Sequence, residues 1–255
     1  NRFLPGEGAH GAELADDLTR FVNLYGAENI AACFVEPIAG STGCLVPPRG
    51  YLERLREICD QHGILLVFDE VITGWGRTGQ AFAAQSFDVT PDMITMAKAV
   101  TNGAQPMGVV AVSERIHDTI MAAAPEGAIE FFHGYTYSGH PAACAAGLAT
   151  LDIYRRDNLF ERGRALSPYF LDALFSLRDL PVVTDIRGYG MLGALDVAVD
   201  GAPGKRGHHL QKKLFDNGLH LKTTGDAAIV APPLIAEKSH VDRIVEVLRK
   251  TLAAL

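Results

Sequence analysis

Four stretches of the chain run almost wholly apolar and then stop abruptly. Residues 65–68, Leu-Leu-Val-Phe, end at two adjacent acids, Asp69 and Glu70, and "PDMITM", residues 91–96, ends two positions before Lys98. "NIAACFVEPIAG", residues 29–40, is broken by Pro37 and Gly40, and "MGVVAVS", residues 107–113, closes the set. Between them the apolar period changes. "GYLERLREICDQHG" places Leu52, Leu55, Ile58 and Cys59 at helical spacing before Gly63, and "GQAFAAQSF" is compatible with a further helix. Continuous apolar strands separated by helical segments predict a parallel sheet covered on both faces.

Beyond Gly139 the pattern predicts a long helix over "HPAACAAGLATLDIYRRD", with Pro141 in its first turn. After Asp157 the texture alters again. A polar-faced helix over residues 158–178 leads to "VVTDIRGYGMLGALDVAV", two strand candidates around a Gly-rich turn. The amphipathic "SHVDRIVEVLRKTLAAL" ends the chain. We therefore divide it at residue 156: residues 1–155 belong to a larger α/β unit and 156–255 to a smaller C-terminal α/β domain.

Composition narrows the choice. With 255 residues, 48% hydrophobic and 21% charged, the chain can bury a sizeable core. The formal net charge of −7, with no Lys/Arg-rich run, argues against a nucleic-acid partner. No apolar stretch reaches the about 18 residues needed to span a membrane, and "NRFLPGEGAHG" has no secretory apolar region. Cys33, Cys44, Cys59 and Cys144 lie in apolar segments without a CxxC pair. They read as free thiols of a reducing compartment, and the expected location is cytoplasmic. His133 and His140 lack metal-pair spacing, so no metal site is expected.

Ligands of open α/β sheets sit outside the carboxyl ends of the strands, where Asp69 and Lys98 are both expected. Asp69 could instead be a turn cap with Glu70 solvated, and Lys98 a snorkelling side chain. An acid and a lysine at one edge have complementary uses in pyridoxal phosphate chemistry. The lysine, partly desolvated, attacks the carbonyl as a free amine, and the carboxylate keeps the ring nitrogen protonated. Trp75, Arg77 and the glycines 74, 76 and 79 shape the turn after Asp69, and "GYGMLG", residues 188–193, lacks the spacing of a phosphate loop.

"EPIAGSTG", "VFDEVITGWGRTG", "MAKAVTNGAQPMG" and "HGYTYSGHPAACAAGLATL", in this order, resemble the class III (omega) aminotransferases, most closely their omega-amino acid:pyruvate (beta-alanine:pyruvate) branch. The similarity runs from "LADDLTRF" to the last helix. It implies the fold type I architecture of pyridoxal-phosphate-dependent transferases, with a mostly parallel large-domain sheet and a smaller C-terminal domain. It also implies transamination by a ping-pong exchange and a homodimer with a shared active site. By the same resemblance Lys98 carries pyridoxal 5'-phosphate as the internal aldimine and later moves the proton. Asp69 pairs with the pyridinium nitrogen, Val71 packs on the ring, and Thr136 reaches the cofactor phosphate of the neighbouring subunit. Without the resemblance, Thr136 reads as a turn hydroxyl.

The departures inform as well. Ile72 and Ser41 stand where many class III members have Gln and Glu, and the branch tolerates both. Lys222, in "GLHLKTTGDAAIVAPPL", stands where the branch has the Arg that clamps the substrate carboxylate. A lysine gives a point charge without the planar fork, or else is simply solvated. The family's Gly-Ser-rich phosphate-binding helix start and its ring-stacking aromatic do not occur here, and the chain begins with Asn. The expectation is a partial chain lacking an upstream segment. The readings left open are a truncated non-catalytic polypeptide that needs another chain, and another fold type I reaction such as an aminomutase or decarboxylase.

Overall fold

A computed structural model describes residues 3–131 and 133–255. It contains two sheets. The first has the order β2 (Ala32–Val35), β3 (Leu65–Asp69), β4 (Met93–Met96) and β5 (Val109–Val112). Strands β2, β3 and β4 are parallel, with Val35 opposite Phe68 and Asp69 opposite Thr95. Strand β5 departs from the parallel expectation: it runs antiparallel to β4, with Met93 opposite Val112. The reason is the short connection. Between Met96 and Val109 lies only a 3-10 turn, Lys98–Val100, and a parallel return needs a longer crossover. Nor is this sheet covered on both faces throughout, because Val110 is 61% exposed.

Helix α1 (Asp17–Tyr25) precedes β2, and α2 (Tyr51–His62) joins β2 to β3. The buried stripe of α2 is the one its spacing predicts, Leu52, Leu55, Ile58 and Cys59, packed with Leu66 and Phe68 of β3. Burying each such aliphatic side chain contributes roughly 1.5–3 kcal/mol. Gly63, in the left-handed region at φ 68°, ends the helix. "GQAFAAQSF" yields only one turn, α3 (Ala83–Ser86). Helix α4 (Glu114–Ala123) follows β5, and α5 (Pro141–Arg156) begins at Pro141 as expected.

The second sheet has the order β1 (Leu4–Pro5), β6 (Val183–Tyr189), β7 (Leu192–Val197), β9 (Ala227–Val230) and β8 (Lys222–Thr224). Strand β1 pairs parallel with β6, Leu4 opposite Arg187, so the first described strand adds to the sheet formed by the end of the chain. Helices α6 (Leu159–Phe175), α7 (Lys205–Asp216) and α8 (Lys238–Leu252) bury Phe170, Leu174, Leu210, Leu214, Val241 and Leu248 against Ile186 and Leu195. Leu192 and Ala194 of β7 belong to the other core, with Leu66 and Phe68, so the two sheets share packed side chains. Among the described residues, no helix is long and apolar enough to cross a membrane.

Asp92, just before β4, ties the first layer together. It accepts Leu66 N–H, Arg56 Nη1 and Arg115 Nη2, each at 2.8 Å. Burial pushes its carboxyl up, but these donors outweigh burial and hold it below the ordinary aspartate range. Asp92→Asn is expected to cost about 2 kcal/mol. A lowered folded-state pKa gives stability that is complete above the unfolded value, about 3.9, and is lost as pH falls through the folded one. Urea unfolding of wild type and variant across the acid range checks both: the gap between them closes at low pH.

Candidate active site

Strand β3 buries Leu66, Val67 and Phe68 and reaches its end at Asp69. Asp69 is half-buried, and its Oδ1 accepts the Val71 N–H at 3.0 Å, which folds the next residues into an Asx turn. Val71 is half-buried in that turn. Lys98 lies three residues beyond Thr95, the cross-strand neighbour of Asp69. Both groups thus leave the carboxyl edge of adjacent parallel strands, spaced about 4.8 Å apart. The structure brings Asp69, Val71 and Lys98 to one edge.

Their burial differs from the expectation. Lys98 is exposed, because no described element lies over it, and so the desolvated pocket expected around its amine is not formed by these residues. The buried acid is the next one along, Glu70, solvated on the alternative reading of this turn and in fact 0% exposed. Its Oε2 accepts Ala83 N–H at 2.6 Å and the Thr73 hydroxyl at 3.0 Å, and its Oε1 accepts Ala84 N–H at 2.9 Å. Burial pushes the Glu70 carboxyl up, against the pull of these donors. Glu70 serves as the cap of α3, a role that pairing across 13 positions hid from the sequence pattern.

Lys98 has φ 47°, a left-handed backbone uncommon for a residue with a side chain. The turn is pinned from two sides: Tyr154 Oη, from α5, donates to Ala99 O at 2.7 Å, and Thr101 Oγ1 donates to Gln105 O at 2.6 Å. Tyr154 stacks on Trp75 at 6.1 Å, which connects this turn to the loop that follows Asp69. In that loop Arg77 Nη1 donates to Met191 O at 2.9 Å and Pro232 O at 2.5 Å, so the residue expected only to shape a turn also joins the two sheets. "GYGMLG" forms the turn between β6 and β7. A Cβ on Gly190 would lie 2.5 Å from Arg77 O, so close packing requires this glycine.

Lys222 lies elsewhere, exposed at the start of edge strand β8. Its hairpin is anchored by Asp226, whose carboxylate accepts Gly204 N–H at 2.8 Å and Gly207 N–H at 2.9 Å, capping α7. The "GD" after Lys222 is thus a structural anchor that the sequence reading missed. The loop after β2 links the two regions. Gly40 packs against Ile72, while Gly43 lies against Ala227 and passes its carbonyl to Arg187 Nε at 2.7 Å. Ala227 is opposite Thr224, two residues from Lys222. Thr136 is exposed in the segment before α5 and borders a cavity of 810 Å³ with Met107, His140 and Cys144. Lys98 is not among the residues that line this cavity.

The donor set suits pyridoxal phosphate at the first of these places: an exposed lysine and a half-buried aspartate stand at neighbouring strand ends. Comparison with known proteins agrees. The family described as aminotransferase class-III matches residues 5–252. An omega-aminotransferase of Caulobacter vibrioides is 54% identical over 99% of the chain and 57% of its own length. A beta-alanine–pyruvate aminotransferase of Pseudomonas aeruginosa is 50% identical over 95% of the chain and 54% of its length. Among solved structures, an amine transaminase from an uncultivated Pseudomonas species, in its PLP-bound (internal aldimine) form, superposes with a TM-score of 0.87. It is 35% identical, over 95% of this chain and 56% of that one. The chain spans about half the length of the curated relatives it matches.

Glu70→Gln keeps the side chain's size but replaces one acceptor oxygen with a donor that faces N–H or O–H groups. It is expected to destabilise the protein by about 2 kcal/mol. Chemical denaturation measures this, and an unchanged midpoint would contradict the capping role.

Proposed function

The chain belongs to the class III aminotransferases, and from that premise we propose that the protein exchanges an amino group between an omega-amino acid or amine, of the beta-alanine type, and pyruvate. The observation that carries the reading is the placement of Asp69 and Lys98 at, and just past, the carboxyl ends of the adjacent parallel strands β3 and β4. The names of the relatives at 54% and 50% identity support the substrate class. Pyridoxal 5'-phosphate is the cofactor proposed, supported by the PLP-bound relative and by the donor set. When bound, it supplies the electron sink that makes the alpha proton of the amine labile.

This chain's residues have distinct parts. Lys98 Nζ would anchor the cofactor and would take up and return the proton of the amine-bearing carbon. Asp69, already held by Val71 N–H, offers a fixed negative charge to a protonated ring nitrogen. Val71 gives the ring an apolar contact. Thr136, exposed in the segment before α5, suits a hydroxyl that serves the phosphate of a second subunit, which makes the working unit a homodimer. Lys222 supplies a positive charge for the substrate carboxylate, linked to the Asp69 turn through the residue 40–43 loop. The four cysteines, all free, support a reducing, cytoplasmic location.

Two measurements test this reading. Incubation with pyridoxal phosphate followed by borohydride should fix the cofactor's mass on the Lys98 peptide and give no such product with Lys98→Ala. Labelling spread over exposed lysines such as Lys212 and Lys250, with none at Lys98, would overturn the assignment. Lys222→Arg restores a planar fork, and the KM for pyruvate should fall about tenfold, the effect of roughly 1.4 kcal/mol. An unchanged KM would remove Lys222 from the substrate site.

A further inference from the structure

Asparagine followed by glycine occurs twice in the chain, at Asn102-Gly103 and at Asn217-Gly218. Both asparagines are exposed, and both glycines have a left-handed backbone, at φ 77° and φ 83°. Their surroundings differ. Asn217 closes α7, where its own N–H donates to Lys213 O and Leu214 O, each at 3.1 Å. Its side-chain Nδ2 donates to Thr251 Oγ1 of α8 at 3.1 Å, and Gly218 N–H donates to Phe215 O at 3.0 Å. Asn102 follows the Lys98–Val100 turn in a left-handed backbone, φ 50°. Among the described residues, neither its own N–H nor that of Gly103 has a backbone acceptor, and a Cβ built on Gly103 would meet nothing within 4 Å.

We propose that Asn102 is a modification site, where the Gly103 nitrogen closes on the Asn102 side chain and converts it to aspartate and isoaspartate while Asn217 stays intact. The closure needs the Gly103 nitrogen to reach the side-chain carbon, and glycine has no Cβ in the way. At Asn102 the nitrogen and the space around it are open. At Asn217 the amide and the following N–H must both leave their acceptors first, and two such bonds slow the closure by about thirtyfold.

The chemistry needs only water. The Gly103 nitrogen attacks Asn102 Cγ, a C–N bond forms, the Cγ–Nδ2 bond breaks, and ammonia leaves carrying the proton from the Gly103 N–H. Water then opens the resulting five-membered imide at one of its two carbonyl carbons, giving aspartate at one and isoaspartate at the other. One amide and one water become one carboxylic acid and one ammonia, with nothing oxidised or reduced. The product alters the turn that bears Lys98, because a negative charge arises four positions from that residue. In isoaspartate the main chain also runs through the former side chain and is one atom longer. That atom enters where Ala104 N–H donates to Thr101 O at 3.0 Å and Thr101 Oγ1 donates to Gln105 O at 2.6 Å. Burial pushes the Tyr154 hydroxyl up and the Asn102 amide opposes it, whereas a carboxylate at 102 would act with burial.

The test is a time course of the full chain at mildly alkaline pH, read by peptide mass spectrometry, with an isoaspartyl methyltransferase as the probe for isoaspartate. In the folded chain the Asn102 peptide should gain one mass unit about thirtyfold faster than the Asn217 peptide, and methylation should map to residue 102. In urea the two rates should converge, since the bonds that protect Asn217 are gone. Asn102→Gln should remove the folded-state product and leave the Asn217 peptide as it was. Modification of Asn217 as fast as Asn102 in the folded chain would overturn the proposal. So would a folded chain that keeps Asn102 intact while the urea-unfolded chain is modified at both. No cofactor enters either arm, so the outcome is separable from that of the proposed reaction, and the wild-type comparison decides it without a variant.

Discussion

A carboxylate with no surface in solvent needs its negative charge met by donors, or the fold loses several kcal/mol. Glu70 is such a group, one residue past the end of β3, and the route of the following chain depends on how it is satisfied. The start of a helix has the opposite requirement: its first N–H groups have no partner within the helix. Here the two needs cancel, since Ala83 and Ala84 donate to Glu70 and close residues 70–84 into a loop. Successive side chains of an extended chain point to opposite sides. With Glu70 committed to the interior, Asp69 is left at the sheet edge, where its carboxylate is half-buried and held by Val71. Asp69 is therefore positioned largely by its neighbour's burial.

The same loop carries the contact between the two sheets. Arg77 is half-buried, burial draws its guanidinium below the ordinary value, and it gives two hydrogen bonds to carbonyl oxygens at Met191 and Pro232. Met191 N–H returns a bond to Arg77 O at 2.8 Å. From the other side, Arg187 binds Asp185 and Asp196 within its own sheet and reaches out to Gly43 O. These two arginines, with Leu192 and Ala194 packed beside Phe68, set where the Lys222 hairpin stands relative to the Asp69 edge. Its place is further fixed by Asp226 on the start of α7.

What was legible in the sequence is what local periodicity records. Helix α2 shows its buried stripe and its terminating Gly63, α5 its leading proline, and β6 and β7 stand as two strand candidates around a Gly-rich turn. Asp69 and Lys98 were legible as strand-end residues because apolar runs stop beside them. The rest depended on partners far along the chain. Two residues, Leu4 and Pro5, carry no pattern that points to Arg187 and Gly188. The reversal of β5 follows from the length of a connection. The burial of Glu70 left no local sign because its donors come 13 and 14 positions later. The exposure of Lys98 was hidden for a related reason: the strand pattern fixes where the residue stands and is silent on what covers it.

Lys98 raises a last physical question, since its left-handed backbone costs of order 1–2 kcal/mol and an exposed lysine gains nothing from it locally. The strain is held by what lies behind the turn. Val100 and Thr101 are buried, Thr101 binds Gln105 O, and Tyr154 binds Ala99 O. Tyr154 in turn stacks on Trp75, two residues from Arg77. A relaxed β or helical Lys98 would move Ala99 O away from Tyr154 and loosen that aromatic contact. The amine-bearing turn, the loop after Asp69 and the second sheet are thus held in one continuous set of contacts.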